Sequence, residues 1–145
     1  MAIPRAVALI LLVALLGVAC QPEGRTFQTT LQTEYTNPLP VTLTDETGLV
    51  TGIAQAEVDP ATLSDVLPVV HAPVNDANAS VLTWEGSACD QDTTVWFHVL
   101  HGGYVLNVAV HEKLGTGCPA AAVPRAIRMT TSRPIPIDSI VVAGG

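Results

Sequence analysis

The chain has 145 residues, of which 13% are charged, and its formal net charge is −7. After position 20, 13 acidic residues stand against five basic ones, a net charge of −8, and residues 21–80 contain Arg25 as their only base. Nucleic-acid phosphates are neutralised by clustered Lys and Arg, so this charge balance argues against nucleic acid as a partner.

The chain opens with a pattern that predicts a signal peptide over residues 1–19. Arg5 precedes an uninterrupted apolar run, residues 6–19. As a helix this run would span about 21 Å, which is shorter than the roughly 30 Å hydrocarbon core of a bilayer. A short positive region, an apolar stretch and small residues at its end are typical of an export signal rather than of a permanent transmembrane helix.

The run ends in the sequence Leu16-Gly17-Val18-Ala19-Cys20. It resembles the lipobox of bacterial lipoproteins, where small residues precede a Cys that is acylated, although Gly17 stands where the family usually has Leu. The resemblance implies lipidation of Cys20, a tether over residues 20–25 and attachment to the lipid bilayer of the cell envelope, facing the periplasm or the exterior. The same small residues also suit ordinary signal peptidase, which would release a soluble secreted protein.

The cysteines are Cys20, Cys89 and Cys118. If Cys20 carries lipid, the other two remain as a pair in an oxidising compartment, where a disulfide is expected. A bond between Cys89 and Cys118 would close a loop of about 30 residues and stabilise the fold by roughly 3–4 kcal/mol in the chain-entropy model.

Alternating patterns predict three strands at the start of the mature chain. Over residues 27–35 the odd positions share one face, and the turn at 37–40 ends the pattern. Residues 41–44 predict a second strand and 49–58 a third, with 45–48 as a hairpin turn between them.

Residues 59–67 differ in kind from the strands around them. Asp59 can cap a helix and Pro60 suits its first position, so a connecting helix of at most two turns is predicted before Pro68. Residues 71–80 are predicted to be a loop and residues 81–85 a fourth strand.

The clearest local signal is a hairpin formed by residues 94–100 and 105–111. Between them lies Gly102-Gly103, a dipeptide typical of a tight turn with positive backbone φ. Counting outward from that turn pairs Val99 with Leu106, Phe97 with Val108 and Val95 with Val110. On the other face it pairs Leu100 with Val105, His98 with Asn107 and Trp96 with Ala109. One face is then uniformly apolar, as a correct register requires.

Two further strands complete the prediction. Residues 124–131 alternate with Ile127 and Met129 inward and Arg128 outward, and residues 137–143 predict a last edge strand. Seven or eight short strands with one short connecting helix favour an Ig-like β-sandwich as a single domain over residues 26–145. A small β-barrel is the alternative.

No catalytic pattern is apparent, so no enzymatic activity and no cofactor are predicted. The sequence has no nucleophile elbow, and a Cys89–Cys118 disulfide would remove both thiol nucleophiles. In the predicted register His111 lies opposite Thr94, about 13 Å along the strand from His98. Metal–nitrogen bonds are about 2 Å long, so these histidines could not share an ion and no metal site is predicted.

The residues that offer a possible interaction patch lie on the predicted hairpin. An uncovered outer face would expose a patch of aromatic and apolar side chains, a feature that marks interaction sites. Its members would be Trp96, His98, Leu100, Tyr104 and Val105. We favour the alternative that both faces are covered, one by the second sheet and the other by the helix or the loop at 113–123.

The sequence therefore predicts an envelope-anchored lipoprotein that acts as a non-enzymatic binding or structural module. Its partner would be an envelope protein or a polysaccharide, although this rests on fold-level analogy. Two alternatives remain: a periplasmic domain that binds copper or zinc through histidines, and an enzyme of unrecognised type.

Overall fold

The computed structural model describes residues 23–33, 37–63, 66–113, 115, 117–119 and 121–144. The predicted signal peptide, Cys20 and Tyr35 lie outside this part of the chain. Nine strands are present in it, against the seven or eight predicted. In chain order they are β1 Arg25–Leu31, β2 Leu39–Asp45, β3 Val50–Gln55, β4 Val69–His71, β5 Ala79–Ser87, β6 Asp90–Leu100, β7 Gly103–Glu112, β8 Ala122–Thr131 and β9 Ile140–Gly144.

The strands form two sheets that pack against each other. The order is β1-β2-β6-β7-β9 in the five-stranded sheet and β3-β8-β5-β4 in the four-stranded sheet. β2 runs parallel to β6 and β7 parallel to β9, and the other neighbouring strands are antiparallel. Each sheet keeps two free edge strands, so the sheets formed by the described residues do not close. The predicted all-β sandwich is confirmed, and the alternative of a small barrel is wrong.

The core lies between the sheets because apolar residues occupy the alternate, inward positions of the strands. In β2, Leu39, Val41 and Leu43 are buried while the positions between them are not. Trp84 of β5 and Phe97 of β6 are the largest fully buried side chains among the described residues. Burial of apolar surface contributes roughly 25 cal/mol per Å², so these inward rows supply most of the favourable free energy of folding.

The turn after β2 carries the chain from one sheet to the other. The carboxylate of Asp45, which is 0% exposed, accepts hydrogen bonds from the backbone N–H of Thr47 at 2.8 Å and of Val50 at 3.0 Å. The Thr47 hydroxyl donates to the same carboxylate at 2.6 Å. The predicted hairpin over residues 45–48 is therefore wrong, because β2 and β3 belong to different sheets. Asp and Gly serve both kinds of turn, so local sequence does not separate them.

A second corner, between β5 and β6, is held by the predicted disulfide. Cys89 and Cys118 are bonded with their Cα atoms 5.8 Å apart, which ties this corner to the loop before β8. Beside it the Asp90 carboxylate accepts hydrogen bonds from the Ser87 N–H and hydroxyl, both at 3.0 Å. Asp90 also faces the Arg125 Nε at 3.8 Å, and both side chains are buried. The corner is thus fixed by a covalent bond and by a buried ion pair.

The connection at residues 59–67 contains one 3₁₀ turn, Pro60–Thr62, instead of the predicted α-helix. Asp59 does cap it, since its Oδ1 accepts a hydrogen bond from the Ala61 N–H at 2.9 Å. The strand β4 was missed because three residues between prolines are too few to show an alternation.

The hairpin of β6 and β7 is present, but its turn lies one residue earlier than predicted. His101 and Gly102 both have positive φ, 51° and 81°, as a two-residue primed turn requires. Val99 therefore pairs with Tyr104, and the whole register shifts by two residues. A shift of two changes which residues are paired but not the face on which each β6 or β7 side chain lies, because side chains alternate with a period of two.

The strands near the C-terminus agree with the prediction in part, because Ile137–Ser139 form a 3₁₀ turn and the last strand begins only at Ile140. In β8, Ile127 and Met129 are buried, whereas Arg128 lies on the opposite face and pairs with Asp76. β9 lies at the edge of the five-stranded sheet, next to β7.

Candidate interaction surface

The outer face of the five-stranded sheet is the side that points away from the four-stranded sheet. Along β6 the inward residues Val95 and Phe97 are 1% and 0% exposed, whereas the outward residues Trp96 and Leu100 are 43% and 51% exposed. The expectation that both faces of the hairpin are covered is therefore not met. An aromatic and a large aliphatic side chain stand on a surface that soluble domains usually make polar.

Trp96 and His98 form the centre of this surface. Their rings stack, with centroids 3.9 Å apart and an interplanar angle of 25°. Val105 of β7 lies opposite His98 and is half-buried. The structure thus brings four of the five predicted patch residues, Trp96, His98, Leu100 and Val105, to one face.

Tyr104 does not belong to this surface. The observed register places it opposite Val99, on the inward face, where its ring stacks on Phe97 with centroids 5.6 Å apart. Its hydroxyl oxygen accepts a hydrogen bond from Arg133 Nη2 at 2.9 Å. The prediction failed because it grouped Tyr104 with its neighbour Val105, although adjacent residues of a strand point to opposite faces.

Several residues of the surface were missed by sequence reasoning. Val141 of the edge strand β9 is 62% exposed and lies next to Val105. Thr44 of β2 and Asn107 of β7 flank Trp96 in the same row of the sheet. The alternation in β9 was visible in the sequence, but the parallel pairing that puts β9 beside β7 joins distant segments and leaves no local signal.

The histidines do not converge. His111 lies opposite Asp92, and its Nδ1 is 2.6 Å from the Asp92 Oδ1. Asp92 and His98 are six positions apart on β6, so their Cα atoms are about 20 Å apart along the strand. Among the described residues, no three His, Cys, Asp or Glu side chains are grouped as a metal site would require.

Two clefts lie away from the outer face. One, of about 510 Å³, surrounds the disulfide and is lined in part by Pro38, Gln91 and Lys113. The other, of about 410 Å³, opens between the sheets; it is lined by Val66, Leu67, Pro68, Trp84, Glu85, Val108 and Val110. Neither lining combines a nucleophile with a neighbouring base, which is the arrangement that covalent catalysis uses.

The comparisons with known proteins give no relative. No protein-family model, no curated protein and no solved structure matches this chain. Within the described residues, no helix has both the length and the apolar character needed to cross a bilayer.

Proposed function

We propose that this chain is an exported, lipid-anchored module of the bacterial cell envelope that binds an envelope component without catalysing a reaction. Its binding surface is the outer face of the five-stranded sheet around Trp96. The observation that carries the proposal is the 43% exposure of Trp96 between Val95 and Phe97, which are 1% and 0% exposed.

The sequence up to Cys20 supports the location. An apolar run too short for a stable span, followed by a lipobox-like sequence, suits export and acylation at Cys20. The bond between Cys89 and Cys118 agrees with this location, because disulfides persist in oxidising compartments. In this proposal every cysteine has a role: one anchors the chain and two stabilise the domain.

The geometry of the outer face supports a binding role. The stacked pair of Trp96 and His98 lies near the middle of a regular sheet, so the backbone beneath it is fixed on both sides by neighbouring strands. A rigid aromatic side chain loses little conformational entropy on binding, which is why such residues dominate binding energies.

The anchor is tested by labelling cells that express the full chain with a radioactive fatty acid. We expect label in the wild-type protein and none in Cys20→Ser. Release of unlabelled wild-type protein into the medium would contradict the anchor and favour the soluble secreted alternative.

The surface is tested with full-length Cys20→Ser protein and purified cell envelopes in a sedimentation assay. We expect saturable binding that is lost in the double variant Trp96→Ser, Leu100→Ser. The matched control is Val74→Ser, which removes an 87% exposed apolar side chain from a loop outside the five-stranded sheet. Equal binding by all these proteins, each shown to be folded by circular dichroism, would exclude the outer face as the binding surface.

A further inference from the structure

The outer face of the five-stranded sheet carries no formal charge along most of its length. From the hairpin end to the row of Thr94, none of the outward strand positions is Asp, Glu, Lys or Arg. Charged residues border this region: Asp92, which pairs with His111, lies in the next row, and Glu46 follows the end of β2, where its N–H donates to the Phe97 oxygen. The outward positions in this region are Thr26, Gln28, Thr42, Thr44, Thr94, Trp96, His98, Leu100, Val105, Asn107, Ala109, Val141 and Ala143. Each is exposed or half-buried.

We propose that this face binds a neutral polysaccharide built of β-linked hexopyranose units, with Trp96 as the stacking platform for one sugar ring. This inference rests on the proposed function and names the chemistry of its ligand. A β-linked pyranose with equatorial hydroxyls presents a flat C–H surface above and below the ring. Such polarised C–H groups are attracted to the electron-rich face of an indole, whose quadrupole is negative there.

The row through Trp96 supplies the matching polar groups. Thr26, Thr44, Trp96 and Asn107 lie side by side on β1, β2, β6 and β7. A Thr hydroxyl can both donate and accept a hydrogen bond, and an Asn side chain donates through its amide nitrogen and accepts through its oxygen. Sugar hydroxyls also donate and accept, so both side chains can pair with them. Adjacent strands are about 4.8 Å apart, close to the length of one β-1,4-linked pyranose unit, so a chain lying across the strands meets one polar group per sugar.

His98 fixes the platform. Because its ring stacks on the Trp96 indole at 3.9 Å, it restricts the rotation of that side chain before any ligand arrives. A platform that is already ordered spends less conformational entropy when a sugar stacks on it.

Charge favours a neutral glycan over other occupants. A second copy of this acidic chain would bring the same negative charge, and an anionic polymer or lipid headgroup would need clustered Lys or Arg on this face. The large apolar side chains of the face are Trp96, Leu100, Val105 and Val141, and Thr residues continue from them over β1 and β2. A stable protein interface needs about 800 Å² per partner around a core of large anchors, and Thr is under-represented among such anchors.

The test uses full-length Cys20→Ser protein and two defined probes, cellohexaose and chitohexaose, in isothermal titration calorimetry. The first carries hydroxyls only and the second carries acetamido groups, so the pair separates the two kinds of neutral envelope glycan. We expect saturable binding of at least one probe. Trp96→Ala should weaken it at least about tenfold, which a loss of about 1.4 kcal/mol produces, and Trp96→Phe should weaken it less.

Two variants separate a sugar site from an apolar contact. Thr44→Val removes a hydroxyl from the Trp96 row at nearly constant shape and should weaken saccharide binding. Val141→Ser removes an exposed apolar side chain at the edge strand and should weaken saccharide binding less than Thr44→Val does. If Val141→Ser reduces binding and Thr44→Val does not, the surface is an apolar docking site and the glycan assignment is wrong.

The remaining outcomes distinguish the glycan from the other occupants of this face. No heat from either saccharide with folded wild-type protein would overturn the inference, while Trp96-dependent binding to whole envelopes would still uphold the proposed function. Concentration-dependent dimers in sedimentation equilibrium, abolished by Leu100→Ser, would assign the face to a second copy instead. Tighter binding to anionic phospholipid vesicles than to either saccharide would assign it to a membrane surface.

Discussion

Trp96 and His98 occupy alternate positions of β6, and their rings stack on the outer face of the five-stranded sheet with centroids 3.9 Å apart. Side chains two residues apart on a strand start about 7 Å apart, so the two rings must lean toward each other to reach this distance. The contact covers part of the indole and leaves 43% of Trp96 exposed. It combines an ordered aromatic side chain with a solvent-facing surface, which is the arrangement that a stacking ligand requires.

The two tryptophans should respond differently to a quencher in solution. Trp96 is 43% exposed and Trp84 is 1% exposed. Acrylamide should therefore quench the fluorescence of Trp96 and leave that of Trp84 largely unquenched. In Trp96→Phe the quenchable fraction of the tryptophan fluorescence should be lost. Residual quenching of the same size in Trp96→Phe would show that Trp84 is the accessible tryptophan and that the faces are assigned the wrong way round.

Neighbouring positions of β6 should differ sharply in their contribution to stability. Phe97→Ala deletes a fully buried ring and should lower the free energy of unfolding by about 3–5 kcal/mol. Trp96→Ala should lower it by about 1 kcal/mol or less, because much of that ring already faces water. Urea denaturation of both variants tests the difference; similar losses would mean that the outer face is part of a core.

The buried carboxylate of Asp45 should be needed for the corner between β2 and β3. Asp45→Ala leaves the Thr47 and Val50 N–H groups without their acceptor and should cost about 2–4 kcal/mol in the free energy of unfolding. Glu46→Ala, which removes an exposed carboxylate from the same turn, serves as the control and should change it by about 0.5 kcal/mol or less. Equal effects in thermal or urea unfolding would show that the hydrogen bonds of Asp45 contribute nothing specific.

Loss of the disulfide should destabilise the domain by about 3–4 kcal/mol, the entropy of the loop that it closes. The measurement compares urea unfolding of the double variant Cys89→Ser, Cys118→Ser with that of the oxidised parent, both carrying Cys20→Ser. Reduction of the parent with dithiothreitol should give the same shift. A change below about 1 kcal/mol in both experiments would show that the buried pair of Asp90 and Arg125 suffices to hold this corner.

Much of the fold could be predicted from local pattern. Alternation in β6, β7 and β8 assigned the inward rows correctly, because a half-buried strand must repeat every two residues. The disulfide followed from counting cysteines. These features are set by short stretches of sequence, and one residue of error in the turn at His101 changed the pairing without reversing the faces.

The parts that failed depend on contacts between distant segments. Nothing near residues 45–48 indicates that the chain crosses to the other sheet after β2, because Asp45 would form a similar turn in a hairpin. The parallel pairs β2 with β6 and β7 with β9 join segments that are 52 and 36 residues apart along the chain, and they determine which side chains lie beside those of β6 and β7. Four members of the surface were therefore found from sequence, and Asn107 was assigned to the same face of the hairpin, while Thr44 and Val141 required the sheet order.

The outer face can be tested most directly with a ¹⁵N-labelled sample of the full-length Cys20→Ser protein. Its amide spectrum contains separate indole N–H signals for Trp84 and Trp96, and it is titrated with solubilised envelope polysaccharide. The account predicts that the Trp96 indole signal and the amide signals of Thr44 and Asn107 shift with saturation, while the Trp84 indole signal stays in place. Shifts confined to the four-stranded sheet or to the corner around Cys89 would contradict it.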